Sequence, residues 1–201
     1  ALESCVKNGG VLITTYMSGI VGQSDNVYLG GYPGPLREMA GVWVEEIDAL
    51  APEQKNKAKF ADGSEAECGL LCDLMHLEGA EALASYEDDF YAGMPAASRN
   101  SYGKGTTYYI ATMFEEDGLA KILDQAVSEA GVHPVIPEQT GLEVVTRVSD
   151  TTRFYYVMNF TDEEQVLPDS LAGKKDMING KMTETGMKLK KWDVLLLEEN
   201  L

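Results

Sequence analysis

Apolar and polar positions follow one pattern over residues 1–136 and another over residues 137–201. Near the start, a helical segment ends at Gly9 and Gly10, because glycine readily takes the left-handed conformation that closes a helix. An apolar, β-branched run, VLITTY at residues 11–16, follows and predicts a buried strand. Helix, glycine turn and strand make half of an α/β unit. We expect parallel partners of this strand to come partly from sequence that precedes residue 1.

The rest of this first part alternates between strands and loops. Strands are predicted at residues 42–47, 82–86 and 106–112. The last prediction is the clearest, because residues 106–112 are rich in threonine and tyrosine and include an isoleucine. Residues 68–77 are apolar and fit either a strand or a helix. A short helix is expected at residues 35–41, and a longer one has apolar residues at helical spacing before Gly131. Residues 17–34 predict a long ordered loop, which is often functional.

After residue 136 the pattern changes to short strands. Pro134 and Pro137 bound a connector, and residues 143–149 and 153–160 then alternate apolar and polar side chains. Further short strands are predicted near residues 176–178, 187–190 and 194–197. We therefore expect an α/β domain over residues 1–136 and a small antiparallel β domain over residues 137–201.

Length and charge exclude several classes of protein. The chain has 201 residues, which is too few for a complete (β/α)₈ barrel of about 250 residues. It carries 16 basic and 33 acidic side chains, a net charge of −17, so nucleic acid and anionic membranes are not expected as partners. No apolar run of about 18 residues predicts a membrane span. Three cysteines do not suit a disulfide framework, and a start without signal-peptide character also favours a cytoplasmic protein.

Residues with reactive side chains do not assemble into a catalytic pattern. Cys68, Cys72 and His76 offer at most three metal ligands in a spacing unusual for zinc, so buried structural cysteines are the favoured interpretation. Ser18 follows a strand, but Tyr16 stands where the first glycine of a nucleophile elbow belongs. Adjacent acids such as those at 45–46 face opposite sides of a strand and cannot flank one bond together. The residues predict no catalytic, cofactor-binding or metal site.

Several motifs, taken in order along nearly the whole chain, resemble the β-galactosidases of glycoside hydrolase family 42. They are TYMSGIV at 15–21, LGGYPGPLR at 29–37, GVWVEEIDAL at 41–50, LEGAE at 77–81, DFYAGMPA at 89–96, YGKG at 102–105 and YYVMNFT at 155–161.

The resemblance implies a division of labour between domains. In that family a (β/α)₈ barrel holds both catalytic glutamates, a flavodoxin-like domain similar to class I glutamine amidotransferases builds the trimer, and a small β domain ends the chain. This sequence matches the last two, so no catalytic glutamate maps onto it. The resemblance implies that this chain is the non-catalytic assembly portion of a homotrimeric enzyme, and that the whole enzyme hydrolyses terminal β-D-galactosides with retention. The galactoside would bind through the barrel, and this chain alone would be inactive and need no cofactor.

Two further expectations concern binding. Tyr32, Arg37 and Trp43 are predicted at a subunit interface, because aromatic and arginine side chains are enriched there. A core role for Trp43 is the competing interpretation. The alternative function is a stand-alone sugar-binding module, suggested by Tyr91, Tyr102, Tyr108 and Tyr109, while a small amidotransferase-like enzyme is disfavoured by the missing elbow.

Overall fold

The computed structural model of the chain describes residues 1–138 and 140–201 and divides into two compact units. The first unit is Ala1–Val132 and the second is His133–Leu201. Each has its own hydrophobic core, and each is described separately below.

The first unit contains three α-helices and eight strands. In chain order they are α1 (Leu2–Lys7), β1 (Val11–Thr15), α2 (Arg37–Ala40), β2 (Val42–Ala49), β3 (Asn56–Phe60), β4 (Glu65–Leu77), β5 (Glu81–Tyr86), β6 (Pro95–Tyr102), β7 (Gly105–Ile110), β8 (Thr112–Phe114) and α3 (Glu116–Glu129). A single 3₁₀ turn, Gly34–Leu36, leads into α2.

These strands form one mixed sheet in the order β1-β7-β6-β5-β3-β4-β2, with β8 paired to β4. Among the described residues only β1 and β7 pair in parallel, with Val11 opposite Thr106, and every other ladder is antiparallel. The first unit is therefore a mixed sheet with few helices. Strand β1 lies at the sheet edge and is only partly buried, whereas its composition predicted burial.

Sequence patterning explains the interior of this sheet. All six residues of β7 are buried, as the run of threonine, tyrosine and isoleucine predicted. The main core joins β4, β5 and β7 to α3, which contributes Ile122 and Ala126. Gly131 follows α3 with φ +64°, a conformation that glycine adopts without steric cost.

Three strands of the first unit have no counterpart among the predicted elements, and one ambiguous segment is resolved. Strand β3 lies in a stretch of polar composition, β6 consists of small and polar residues that carry no β-branched signal, and β8 has only three residues. Residues 68–77 belong to β4, a strand rather than a helix. Leu70 interrupts β4 with φ +64°, where the pairing with β8 shifts register.

The second unit is antiparallel, as predicted. Its strands are β9 (Glu143–Val148), β10 (Thr152–Met158), β11 (Gln165–Val166), β12 (Lys175–Asp176), β13 (Lys188–Leu189) and β14 (Val194–Asn200). A four-stranded sheet has the order β12-β14-β10-β9, and β11 pairs with β13. Its core includes Val157, Leu171 and Leu197, all fully buried.

Candidate self-association surface

Trp43 anchors an exposed group of side chains at one end of β2 and β4. Its cross-strand partner is His76, and the two rings stack with centroids 4.5 Å apart at 14°. The Nε2 atom of His76 lies 2.9 Å from Oε2 of Glu45. Val42 and Val44, which flank Trp43 on β2, face the core and are fully buried. Strand alternation therefore turns the indole away from that core, half-buried on the other face.

Arg37, the first residue of α2, adds a charged group beside Trp43. Its guanidinium lies 5.5 Å from the indole centroid. Nε and Nη2 of Arg37 donate to the two carboxylate oxygens of Glu78 at 2.6 and 2.5 Å, and Nη1 donates to the Gly30 carbonyl at 3.0 Å. This bidentate pair raises the pKa of Arg37 and lowers the pKa of Glu78. We call Arg37, Trp43, Glu45, His76 and Glu78 the Trp43 cluster.

The loop of residues 17–34 borders the Trp43 cluster and is ordered by its own hydrogen bonds. The Gly22 amide donates to the Asn26 carbonyl and the Tyr28 amide to the Ile20 carbonyl, both at 2.9 Å. Several large apolar side chains of the loop are nevertheless exposed: Met17, Val21, Val27, Tyr28 and Leu29, the last to 97%. An ordered loop that exposes several large apolar side chains, three of them consecutive in sequence, is typical of an interaction surface.

The end of the loop is fixed against β2 at Gly31 and Tyr32. The Val44 amide donates to the Tyr32 carbonyl at 2.6 Å. Gly31 has φ +89°, and a β-carbon there would lie 2.9 Å from the Val44 carbonyl oxygen and 3.0 Å from the Trp43 ring. Only glycine therefore allows the loop backbone to pack this closely against the indole.

Tyr32 and Tyr109 converge on one buried carboxylate. The Tyr32 hydroxyl donates to Oδ1 of Asp73 at 3.0 Å, and the Tyr109 hydroxyl donates to Oδ2 at 2.6 Å. Asp73 is fully buried on β4, and burial raises its pKa to about 6, against the opposing effect of the two phenols. The pKa values of Tyr32 and Tyr109 are also raised, first by burial and then by the Asp73 charge.

The three residues expected at an interface therefore occupy neighbouring but different positions. Arg37 and Trp43 contact each other and are half-exposed, while Tyr32 turns its hydroxyl inward and holds the loop beneath them. Residue type and local pattern gave no indication that Glu78, His76 and Asp73 belong to this region. The register of β2 against β4 brings His76 to Trp43, and single-sequence patterning contains no signal for that register.

Other candidates are placed elsewhere. Cys68 and Cys72 are buried in the main core, as the favoured interpretation predicted, and His76 faces Trp43 and Glu45. Tyr91, Tyr108 and Tyr109 are also buried, so the sugar-binding hypothesis built on them is wrong for these three. The fourth tyrosine, Tyr102, donates to Glu3 at 3.0 Å. No group of three or more metal-ligating side chains occurs among residues 1–138 and 140–201.

The two units match two models of protein families. Residues 1–133 match the β-galactosidase trimerisation domain, and residues 141–199 match the β-galactosidase C-terminal domain. The first unit therefore belongs to the class of trimerisation domains. The chain belongs to the glycoside hydrolase family 42 β-galactosidases, of which it comprises the trimerisation and C-terminal domains.

Individual relatives agree with this assignment. The chain is 45% identical over 197 residues to β-galactosidase LacA of Lactobacillus acidophilus, covering 98% of this chain and 29% of that protein. It is 39% identical to BgaA of a Planococcus species, covering 98% of this chain and 30% of that protein. The crystal structure of a β-galactosidase from Bacillus circulans sp. alkalophilus superposes with a TM-score of 0.89 at 37% identity, covering 98% of this chain and 30% of that one.

This chain corresponds to only part of each of these relatives. The chain spans about 30% of the length of the relatives it matches. Among its described residues, no helix combines the length and apolar character needed to cross a bilayer.

Proposed function

We propose that this chain is the assembly portion of a homotrimeric β-galactosidase whose catalytic residues lie outside it. The whole enzyme hydrolyses terminal β-D-galactosides with retention, and the galactoside binds in a barrel domain that this chain does not include. The observation that carries the proposal is the match of residues 1–133 to a trimerisation domain, on which an ordered loop exposes Leu29 beside the Trp43 cluster.

The Trp43 cluster and the adjacent loop form the subunit contact in this proposal. Arg37 and Trp43 contribute the anchor side chains, because a guanidinium held on an indole is rigid before binding and loses little further entropy. Tyr32 does not contact the partner subunit in this proposal; its hydrogen bond to the buried Asp73 holds the loop in position. The strongly negative chain is an unsuitable partner for nucleic acid or an anionic membrane, so self-association is the interaction that we propose.

The mass of the isolated chain in solution tests this proposal. Light scattering over a range of protein concentrations is expected to reach the mass of three chains, and Trp43→Ala is expected to shift the equilibrium to single chains. Trp192→Ala is the matched control, since Trp192 is also exposed but lies in the second unit. A wild-type chain that stays monomeric, or equal effects of both substitutions, would overturn the proposal.

Activity provides a separate test. The isolated chain is expected not to hydrolyse an aryl β-galactoside, because in this proposal both catalytic glutamates lie in the barrel domain. Turnover by the purified chain, abolished by a substitution within residues 1–201, would contradict the non-catalytic assignment.

We also propose that the first unit has a flavodoxin-like fold similar to class I glutamine amidotransferases. This is supported by helix α1 leading directly into strand β1, and by the parallel pairing of β1 with β7. Strand β1 is an apolar run, typical of parallel strands covered on both faces, yet Ile13 is 36% exposed at the sheet edge. In a longer chain that supplies a parallel neighbour, amide exchange of β1 is expected to slow. Unchanged exchange would contradict this fold.

We also propose a position for the boundary between the two domains and a cellular location for the protein. We place the domain boundary at 136/137, within the proline-bounded connector. A cytoplasmic location is supported by three free cysteines, of which Cys5 is exposed. Limited proteolysis that cuts first near residue 136, and fractionation of the producing cell, test these two assignments.

A further inference from the structure

The second unit contains a cavity of about 320 Å³ that no part of the proposed assembly role uses. It lies between the turn that follows β12 and the turn that precedes β13. Its lining includes Asp176, Asn179, Lys181, Glu184 and Met187. This volume is at the lower end of the range of ligand pockets, so the cavity suits a small molecule.

Asp176 is the unusual member of this lining. Its side chain is 2% exposed, and its Oδ1 atom accepts hydrogen bonds from the amides of Ile178 at 3.1 Å and Leu196 at 3.2 Å. Its Oδ2 atom is buried and has no hydrogen-bond partner among the described residues. A buried acceptor without a partner costs free energy, and such groups are rare in native proteins. Asp176 therefore presents an unused acceptor for a hydrogen-bond donor.

The backbone around Asp176 is held rigidly. The Asp176 amide donates to the Lys181 carbonyl, and the Gly180 amide donates to the Asp176 carbonyl, both at 2.8 Å. Thr183 uses its hydroxyl internally, because Oγ1 donates to the Leu171 carbonyl at 2.7 Å and accepts from the Lys174 amide at 3.0 Å. The acceptor is thus positioned before any ligand arrives, which favours binding.

The rim of the cavity supplies complementary donors. Oδ1 of Asn179 accepts from the Lys181 amide at 2.8 Å, so the Asn179 side-chain amide remains available to donate. The exposed Lys181 ammonium has no ion-pair partner within residues 1–138 and 140–201. The lining contains two acidic side chains, Asp176 and Glu184, and one basic side chain, Lys181, so its net negative charge disfavours an anionic ligand. The thioether of Met187 adds an apolar contact.

A carboxylate acceptor beside amide and ammonium donors is complementary to adjacent hydroxyl groups, each of which can donate and accept. We propose that this cavity binds a neutral monosaccharide in its pyranose form. Oδ2 of Asp176 accepts a hydrogen bond from one ring hydroxyl, and Lys181 and Asn179 donate to its neighbours. The site lies wholly within the second unit, so the proposal does not depend on self-association through the first.

Titration of the isotope-labelled 201-residue chain, followed by two-dimensional NMR, tests the proposal. Methyl β-D-galactopyranoside and methyl β-D-glucopyranoside are the probes, and calcium chloride is the competing ligand. We expect at least one sugar to cause saturable shifts at residues 176–187. Asp176→Asn is the decisive variant, because its amide can still accept from Ile178 and Leu196 through oxygen while it replaces the unused acceptor by a donor.

Asp176→Asn is expected to weaken sugar binding about tenfold or more. Asp193→Asn is the matched control, since Oδ2 of Asp193 accepts from the Lys190 amide at 2.7 Å outside the cavity lining, and it should bind as the wild type does. Lys181→Met changes an exposed side chain and is expected to weaken binding severalfold, which decides the matter if Asp176→Asn does not fold. Absence of saturable shifts with both sugars, wild-type binding by the folded Asp176→Asn or Lys181→Met variant, or a response to calcium alone would overturn the proposal.

Discussion

The Tyr32 hydroxyl donates a 3.0 Å hydrogen bond to Oδ1 of Asp73, which joins the end of the exposed loop of residues 17–34 to the interior of the sheet. Asp73 lies on β4 beside the strand that carries Trp43, and its second oxygen accepts from Tyr109 on β7. One buried carboxylate therefore links the proposed contact loop to two strands. The consequence is that the shape of the loop surface depends on a group that no partner subunit can reach.

Removal of the Tyr32 hydroxyl should release the loop without unfolding the sheet. Tyr32→Phe is expected to cost about 1 kcal/mol of unfolding free energy and to speed amide exchange within residues 17–34. Tyr109→Phe is the matched control, because it removes the other phenol from the same carboxylate but leaves the loop attached. Urea unfolding and hydrogen exchange measure both effects. Equal loop exchange in the two variants would show that Tyr32 does not hold the loop.

Two neighbouring glycines offer a test of the close packing between loop and indole. Gly30 and Gly31 have nearly the same φ, +90° and +89°, but a β-carbon at position 30 has no atom within 4 Å, whereas at position 31 it would meet the Val44 carbonyl and the Trp43 ring. Gly30→Ala should cost about 1 kcal/mol for backbone strain alone. Gly31→Ala should cost about 3 kcal/mol, because steric overlap is added to the strain.

Urea unfolding of both alanine variants measures this difference directly, and the shared backbone conformation makes each the control for the other. We also expect Gly31→Ala to alter the near-ultraviolet circular dichroism, since the displaced backbone lies against Trp43. Equal destabilisation of the two variants would contradict the packing described for Gly31.

Much of the fold follows from local patterning, but the rest depends on long-range pairing. The residues of β7 and α3 predict their elements because composition and period agree. Strand β3 alternates lysine with buried residues in a region that reads as a polar loop, and the small residues of β6 gain strand structure only by lying between β5 and β7. The local sequence therefore does not indicate that β3 or β6 is a strand.

The candidate surface divides in the same way. Arg37 and Trp43 are six residues apart, and their residue types alone suggest an interface. The role of Tyr32 depends on Asp73, which lies 41 residues further along the chain and reaches Tyr32 only through the register of β2 against β4. A tyrosine in a glycine-rich loop gives no indication that its hydroxyl meets a buried carboxylate.

Thiol chemistry should separate the three cysteines by burial. Cys5 is exposed, whereas Cys68 and Cys72 have no accessible surface, so the native chain is expected to show one fast-reacting thiol with an aromatic disulfide reagent. Denaturant should release the other two. Cys5→Ser is the control that should abolish the fast phase. A fast phase that persists in this variant would mean that the core containing Cys68 and Cys72 opens readily.

Asp73 should give the chain a pH dependence of stability opposite in sign to that of an ion-paired carboxylate. Burial raises its pKa to about 6 in the folded chain, whereas an unfolded aspartate has a pKa of about 3.9. Between these values the folded chain keeps a proton that the unfolded chain has released. The contribution of Asp73 to stability is therefore largest at acid pH and is lost as the pH rises through about 6.

The difference of roughly two pKa units corresponds to about 3 kcal/mol at most. Asp73→Asn does not titrate, so the unfolding free energy of the wild type minus that of the variant should fall by up to this amount between about pH 4 and 7. Carboxylates with a lowered pKa, such as Glu78 beside Arg37, give the opposite slope but are common to both proteins and cancel in the difference. Urea unfolding at a series of pH values measures it. A difference that stays constant, or rises with pH, would mean that Asp73 is already ionised in the folded chain at acid pH and that its two phenols outweigh its burial.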